Sequence, residues 1–317
     1  MNKKLTLAAL ACTAALTLTA CGAPAEEADD GILHIAATTY PVYEFASAVT
    51  EGMDDISVDL VVKQQISCLH DYTLTVDEMQ TIENADVILI SGAGLEAFME
   101  DTIAASGARV VDCSDNIYLM EPHFFDRDEE HKHDHYVEDR DPHYWLNPDN
   151  AIQMMENIKY ALSNMETNHE NSEYDANFDK YSAEIKEHDL FWEKLINDIP
   201  RNQRNLITFH DGFNYLAQNF NMKILKSIEE EAGSEASAKD ITEIVSLIQE
   251  NNVPMIFVEE NGSDATAKAI QRETGVAIGT LSMNMSDNGR TYVENLDHNM
   301  SVIYEGLTGK EAPVDAE

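Results

Sequence analysis

Three histidines stand where side-chain chemistry is usually placed. His70 follows a β-branched run, in Ser67-Cys68-Leu69-His70-Asp71-Tyr72. His210 ends the run NLITF and opens His210-Asp211-Gly212-Phe213. His143 is fixed between two prolines, in Asp141-Pro142-His143-Tyr144-Trp145-Leu146-Asn147-Pro148. Neutral imidazole is a borderline donor suited to zinc, and three histidines with one open or exchangeable position form a known zinc arrangement. Such a set could hold a cation for transfer, or lower the pKa of a bound water to about 7 for a secreted zinc-dependent hydrolase. The hydrolytic reading needs a base. Asp71 and Asp211 each follow a histidine and could serve, or could orient it, since metal-bound histidines usually hydrogen-bond outward. No HExxH pair and no Gly-x-Ser-x-Gly elbow accompanies them. Position alone assigns no ligand, because a loop histidine is commonly just an exposed polar residue.

The remaining candidates are weaker. His123, His131, His133 and His135 fall in an acidic stretch, 121–141. His-rich tracts bind zinc, and a solvated acidic loop without function has the same composition. Of four cysteines, Cys12 lies in an apolar leader and Cys21 at its end, leaving Cys68 and Cys113. Outside the cytoplasm such a pair suggests one disulfide; the competing reading makes Cys68 a thiolate ligand beside His70. The chain carries 20 basic and 59 acidic residues. That balance argues against nucleic acid, which needs a basic footprint. It favours cations only diffusely and serves solubility equally well.

The elements that must position these residues follow a leader. Lys3 and Lys4 precede an apolar stretch, 5–18, and Leu18-Thr19-Ala20-Cys21 resembles the bacterial lipobox. Residues 1–20 read as a lipoprotein signal and 21–31 as a spacer after a lipid-modified Cys21. The leader is too short for a transmembrane helix of about 20 apolar residues. What remains exceeds a usual single core, so two lobes are expected. Strands at 32–40, 56–62, 86–91 and 108–112 alternate with helices at 41–51, 74–85 and 95–105. Residues 149–163 read as a further helix. Tyr174, Phe178, Tyr181, Ile185, Trp192, Leu195 and Ile199 then recur at helical spacing, with His188 on the same stripe as a core residue. The alternation restarts with strands at 205–209, 222–226, 254–258 and 276–281. Helices lie at about 212–219, 238–251, 263–273 and 290–307. Short apolar strands alternating with helices imply buried parallel sheets. The expected fold is α/β, with two parallel-sheet lobes, 32–170 and 200–310, joined by one long rigid helix, 171–199, and a tail, 311–317. Ligands in open α/β sheets bind at the carboxyl ends of strands, so facing lobes could bring His70 and His210 together in the cleft.

Three segments carry a resemblance. Residues 67–79 (SCLHDYTLTVDEM), 141–148 and 209–215 resemble, in order and separation, the ligand segments of zinc and manganese solute-binding proteins of bacterial ABC importers. Residues 235–240 and 257–275 (FVEENGSDATAKAIQRETG) resemble later segments of that family, so the similarity covers roughly 33–308. The resemblance implies two α/β lobes bridged by a rigid helix, metal in the cleft, and His70, His143 and His210 as ligands. It also implies a membrane permease as partner, a monomer, and a place on the extracytoplasmic face of the bacterial membrane, held by the lipid anchor. The metal would be transported cargo. Histidine at the third position, where the manganese branch tends to have a carboxylate, favours zinc over manganese, and the 121–141 loop resembles the His-rich loop of the zinc branch. The family usually has a fourth, carboxylate ligand after the last strand. Here that stretch reads Leu281-Ser282-Met283-Asn284-Met285-Ser286-Asp287, which leaves Asp287, Glu259 or water as alternatives.

Overall fold

Strand β1 (Leu33–Ala37) is apolar along its inner half because it is covered on both faces, and it starts a run of alternating elements. Helix α1 (Tyr40–Val49), β2 (Ile56–Leu60), α2 (Val76–Glu83), β3 (Val87–Ile90), α3 (Glu100–Ser106) and β4 (Arg109–Asp112) follow. A computed structural model describes residues 31–65, 69, 72–121, 140–165, 167–229 and 236–313. Cys21, Cys68, His70, Asp71 and the loop histidines 123, 131, 133 and 135 lie outside the described residues. The four strands form one parallel sheet in the order β2-β1-β3-β4, with Val58, Ile35, Val87 and Arg109 in one row. Burial is greatest on the central strands, at Ile35, Ala36 and Ala37 of β1 and Val87, Ile88 and Leu89 of β3.

The chain then enters a 3₁₀ turn, Tyr144–Leu146, and α4 (Pro148–Ser163). Asn147 caps α4 by accepting from the Asp149 and Asn150 amides, and Pro148 supplies the preset first turn. Helix α5 (Asn171–Asn197) has 27 residues, about 40 Å at 1.5 Å per residue. Asn177 donates to the carbonyls of Val49 and Glu51 near its start, and Trp192 Nε1 donates to Asp297 near its end. Lys186 bridges Asp149 and Asp189, and Asp189 also accepts from Asn219. These cross-ties hold α5 against both halves. His188 departs from the apolar-stripe reading: it is half-buried and its Nδ1 meets Asp297 at 2.9 Å, because the facing helix offers a carboxylate there.

The second lobe comprises β5 (Asn205–Thr208), α6 (Asn214–Asn219), β6 (Lys223–Ser227), α7 (Ala238–Asn251), β7 (Met255–Glu259), α8 (Ala265–Thr274), β8 (Ala277–Leu281) and α9 (Tyr292–Thr308). Its strands pair as parallel β5-β6 and β7-β8, with β5 lying beside β7. A separate outer core, including Ile207, Phe209, Ile244, Ile256 and Ile270, lies in this lobe. The larger core does not stop at the lobe boundary. It runs from Ile35 and Val87 through Tyr144 and Trp145 to Phe213, Phe257, Leu281, Met283 and Tyr292, and residues 32–317 form one unit. Interiors packed this way transmit strain and resist gradual deformation. Among the described residues no helix is long and apolar enough to cross a membrane.

Candidate metal site

His143 is held from its own neighbourhood. Asp141, two residues earlier, accepts from the His143 amide at 3.0 Å and from its Nδ1 at 2.8 Å, both on Oδ1. The other oxygen of Asp141 accepts from Asn214 Nδ2 at 3.1 Å, and the Asp141 carbonyl accepts from the Tyr215 hydroxyl at 2.8 Å. Both partners belong to α6, so this first-lobe segment is tied to the second lobe. Tyr144 donates to the Ser91 carbonyl at 2.6 Å and anchors the same turn to the carboxyl end of β3. Beside it Glu96, fully buried, accepts from Thr38 Oγ1 and the Ser91 and Gly92 amides. Burial pushes its pKa up to about 7 against those three donors.

His210 lies just past β5 and takes its partner from another strand. Glu259, the last residue of β7, accepts from His210 Nδ1 through Oε1. Burial opposes an imidazolium at His210, yet Glu259, aided by Asp141 and Asp211, outweighs it and holds the pKa above the usual histidine value. Gly212 is required beside it. A Cβ there would lie 2.5 Å from His210 Nε2 and 2.7 Å from the Met283 methyl.

The two imidazoles converge. His143 and His210 are 4 % and 2 % exposed, their ring centroids are 5.1 Å apart, and Nε2 faces Nε2 at 3.4 Å. A carboxylate can only accept, so each Nδ1 carries the hydrogen, and in the neutral form of each ring Nε2 presents a lone pair. At this distance the two Nε2 atoms are held either by a proton shared between them, which the raised pKa of His210 favours, or by a metal cation between them. A tetrahedral zinc with Zn–N bonds of about 2.0–2.1 Å holds its donor nitrogens about 3.3–3.4 Å apart. Among the described residues the surroundings also carry buried acceptors with no partner, Glu259 Oε2 and Asp211 Oδ2, and a cation would offset their cost. The donor set therefore fits zinc.

Several sequence expectations change here. Asp211 does not orient His210; its Oδ1 accepts from Asn214 Nδ2 at 2.8 Å. Glu259 bonds the Nδ1 edge of His210, across the ring from Nε2, and so orients the imidazole. Asp287 is exposed and caps the Gly289 amide at 2.9 Å. Cys113 is buried with a free thiol in place of the expected bond to Cys68, which lies outside the described residues. Burial raises the Cys113 pKa well above the usual thiol value, which keeps it protonated and unreactive. Among the described residues no group of three His, Cys, Asp or Glu closes around a common point; the expected third histidine, His70, is not among them. Glu259 was expected only as an alternative fourth ligand; its role as the hydrogen-bond partner of His210 Nδ1 was missed because nothing in its spacing marks it. Asp141 was signalled by its place in Asp141-Pro142-His143.

Comparison with known proteins adds an independent finding. A family profile described as zinc-uptake complex component A, periplasmic (ZnuA), matches residues 35–306. The zinc-binding lipoprotein AdcA of Streptococcus pneumoniae is 27 % identical over 324 residues, covering 98 % of this chain and 62 % of the relative. The chain thus spans about three-fifths of that relative's length. A crystal structure of ZnuA superposes with a TM-score of 0.73 at 22 % identity, covering 87 % of this chain and 100 % of the other. The laminin-binding protein of Streptococcus agalactiae, described as a bifunctional protein with adhesin and metal-transporting activity, gives 0.72 at 26 % identity, covering 86 % and 99 %.

Proposed function

The chain belongs to the zinc-uptake complex component A family, and from that premise we propose that it is the extracytoplasmic zinc-binding component of an ABC-type importer. It captures Zn²⁺ with His70, His143 and His210 and delivers it to a membrane permease. The metal is cargo, with manganese a poorer fit to an imidazole-rich set. The chain is a binding protein and performs no catalysis. A lipid on Cys21 would hold it at the outer face of the membrane as a monomer, and the 121–141 loop would gather zinc weakly.

The observation that supports this reading most is the 3.4 Å approach of two Nε2 atoms whose Nδ1 atoms are both claimed by carboxylates. Asp141 and Glu259 fix the ring orientations, so both lone pairs meet the arriving ion without rearrangement of the donors. Burial of both rings strips water from the ion and strengthens each dipole. One histidine lies before α5 and one after it, so both halves of the chain contribute to the site.

Competition against a chelating dye tests the assignment. Replacing His70, His143 or His210 by Ala should lower zinc affinity by more than about 100-fold, because too few strong donors remain. His188→Ala and His298→Ala should leave it unchanged. Unaltered affinity in His210→Ala would overturn the three-histidine site.

A further inference from the structure

Helix α1 lines a groove with one continuous face, Tyr40, Tyr43, Glu44, Ser47 and Ala48, at the spacing of a helix stripe. The groove measures about 550 Å³, within the range of small-molecule sites. Tyr181, Glu184 and Ile185 of α5 form a second wall, and residues of the segment leading into α9, from Asp287 to Val293, close it. Neither His143, His210 nor Glu259 lines it, so it is separate from the histidine pair.

Its walls are aromatic and its charges are acidic. Tyr40 and Tyr43 stand with ring centroids 6.1 Å apart, tilted by 36°. Burial, reinforced by Glu44 and Asp287, pushes the Tyr40 pKa up to about 12. Burial also raises Glu44 to about 7 against its two donors, Asn284 Nδ2 at 3.0 Å and the Tyr292 amide, and Asp287 and Glu294 add to the rise. The neighbouring cations are already held. Arg290 is bound by Glu260 and Asn295. Lys180 is bound by Glu51 at 2.7 Å and lies 4.7 Å from the Tyr181 centroid, so this wall already makes one cation–π contact. Glu184 is exposed and has no partner among the described residues.

An acidic, aromatic groove selects a cation. Neither residues 22–31 nor 311–317, both acidic, nor a second copy of a chain of formal charge −39 supplies one. The kind of cation follows from the hydrogen bonds. Both Glu44 oxygens already accept, and Asp287 Oδ1 accepts from the Gly289 amide. Charge there is less well balanced than acceptors are unmet. A metal ion or a primary amine needs oxygen acceptors around it. A methylated ammonium has no N–H and needs only aromatic faces and nearby negative charge.

We propose that this groove is a second ligand site, which takes a small quaternary ammonium compound against Tyr40 and Tyr43, with Glu44, Glu184 and Asp287 balancing its charge. Calorimetric titration of the full chain with tetramethylammonium and with choline, at about 0.15 M salt to screen diffuse attraction, tests it. Each should bind saturably with a dissociation constant of about 1 mM or tighter. Ammonium and the uncharged tert-butyl analogue of choline should give no saturable heat. Tyr43→Leu keeps an apolar side chain and removes the aromatic face; it should weaken choline binding about fivefold or more. Glu184→Gln, at an exposed position, should weaken it about twofold, and Glu83→Gln, exposed on α2 outside the groove, should leave it unchanged. Circular dichroism and melting temperature confirm the fold of each variant. No saturable binding of either probe, equal heat from the uncharged analogue, unaltered choline affinity in Tyr43→Leu, or an equal loss in Glu83→Gln would overturn the proposal. Zinc competition should be unchanged in Tyr43→Leu, so this site and the histidine site stand or fall separately.

Discussion

Asp141 orients His143 from two residues away, whereas Glu259 reaches His210 from 49 residues away on a different strand. The first pair forms as soon as its own turn forms. The second exists only after β5 and β7 have come to lie side by side. Satisfaction differs as well. Both oxygens of Asp141 accept hydrogen bonds, from His143 and Asn214, while Glu259 keeps one buried oxygen without a partner among the described residues. A buried unsatisfied acceptor costs about 1–3 kcal/mol, and a bound cation offsets that cost. The first-lobe half of the proposed site is thus satisfied by the protein itself, whereas the second-lobe half would be completed by a cation.

Removing the charge on each side is the strongest way to break this contrast. Glu259→Gln should lower zinc affinity about 10- to 100-fold, as loss of an orienting carboxylate typically does, and leave metal-free stability unchanged or slightly raised. Asp141→Asn should lower affinity similarly and also destabilise the metal-free protein by about 1–3 kcal/mol, since an amide nitrogen would face the Asn214 donor. Urea unfolding in chelator, beside zinc competition, separates the two. Identical behaviour would erase the distinction.

Gly212→Ala probes the second-lobe half by crowding. The added methyl would sit in the space of His210 Nε2 and Met283, and zinc affinity should fall about tenfold through ring displacement of about 1 Å, an effect known for misplaced catalytic groups. Calorimetric titration reads the loss, and full retention would show that the His210 ring has room to move.

A third, smaller effect sharpens the picture on the first-lobe side. Glu96 titrates at about 7 in the folded protein against 4.5 for an ordinary glutamate. Between those values the folded chain keeps a proton that the unfolded chain has lost. The Glu96 contribution to the stability of the metal-free protein should therefore fall as pH rises from about 4.5 to about 7 and level off above, by the linkage of proton uptake to folding. Glu96→Gln should flatten that slope. Denaturant unfolding at pH 5 and 8, values chosen as roughly straddling that range, checks it; a slope unchanged by the substitution would assign it to other groups. The smallest effect is expected from deleting residues 123–135. Weak additional zinc equivalents should vanish on calorimetric titration while the tight one persists, because His-rich tracts bind zinc loosely.

Much of the fold was legible in the sequence. The strand at 254–258 is observed as Met255–Glu259, and the long helix marked by Tyr174, Ile185 and Trp192 as Asn171–Asn197. Hydrophobic period and capping residues are local signals, and they act over a turn or a strand. Asp141 beside His143 is local in the same sense. His210 could be placed at a strand's carboxyl end for the same reason. Only the tertiary structure decided that Glu259 and not Asp211 holds His210, that Met283 comes up against Gly212, and that Asp287 stays at the surface. It likewise left His188 half-buried on Asp297 and Cys113 a protected thiol. Those outcomes depend on which strands and helices become neighbours, and a sequence separation of 49 residues carries no trace of a hydrogen bond made after the sheet has assembled.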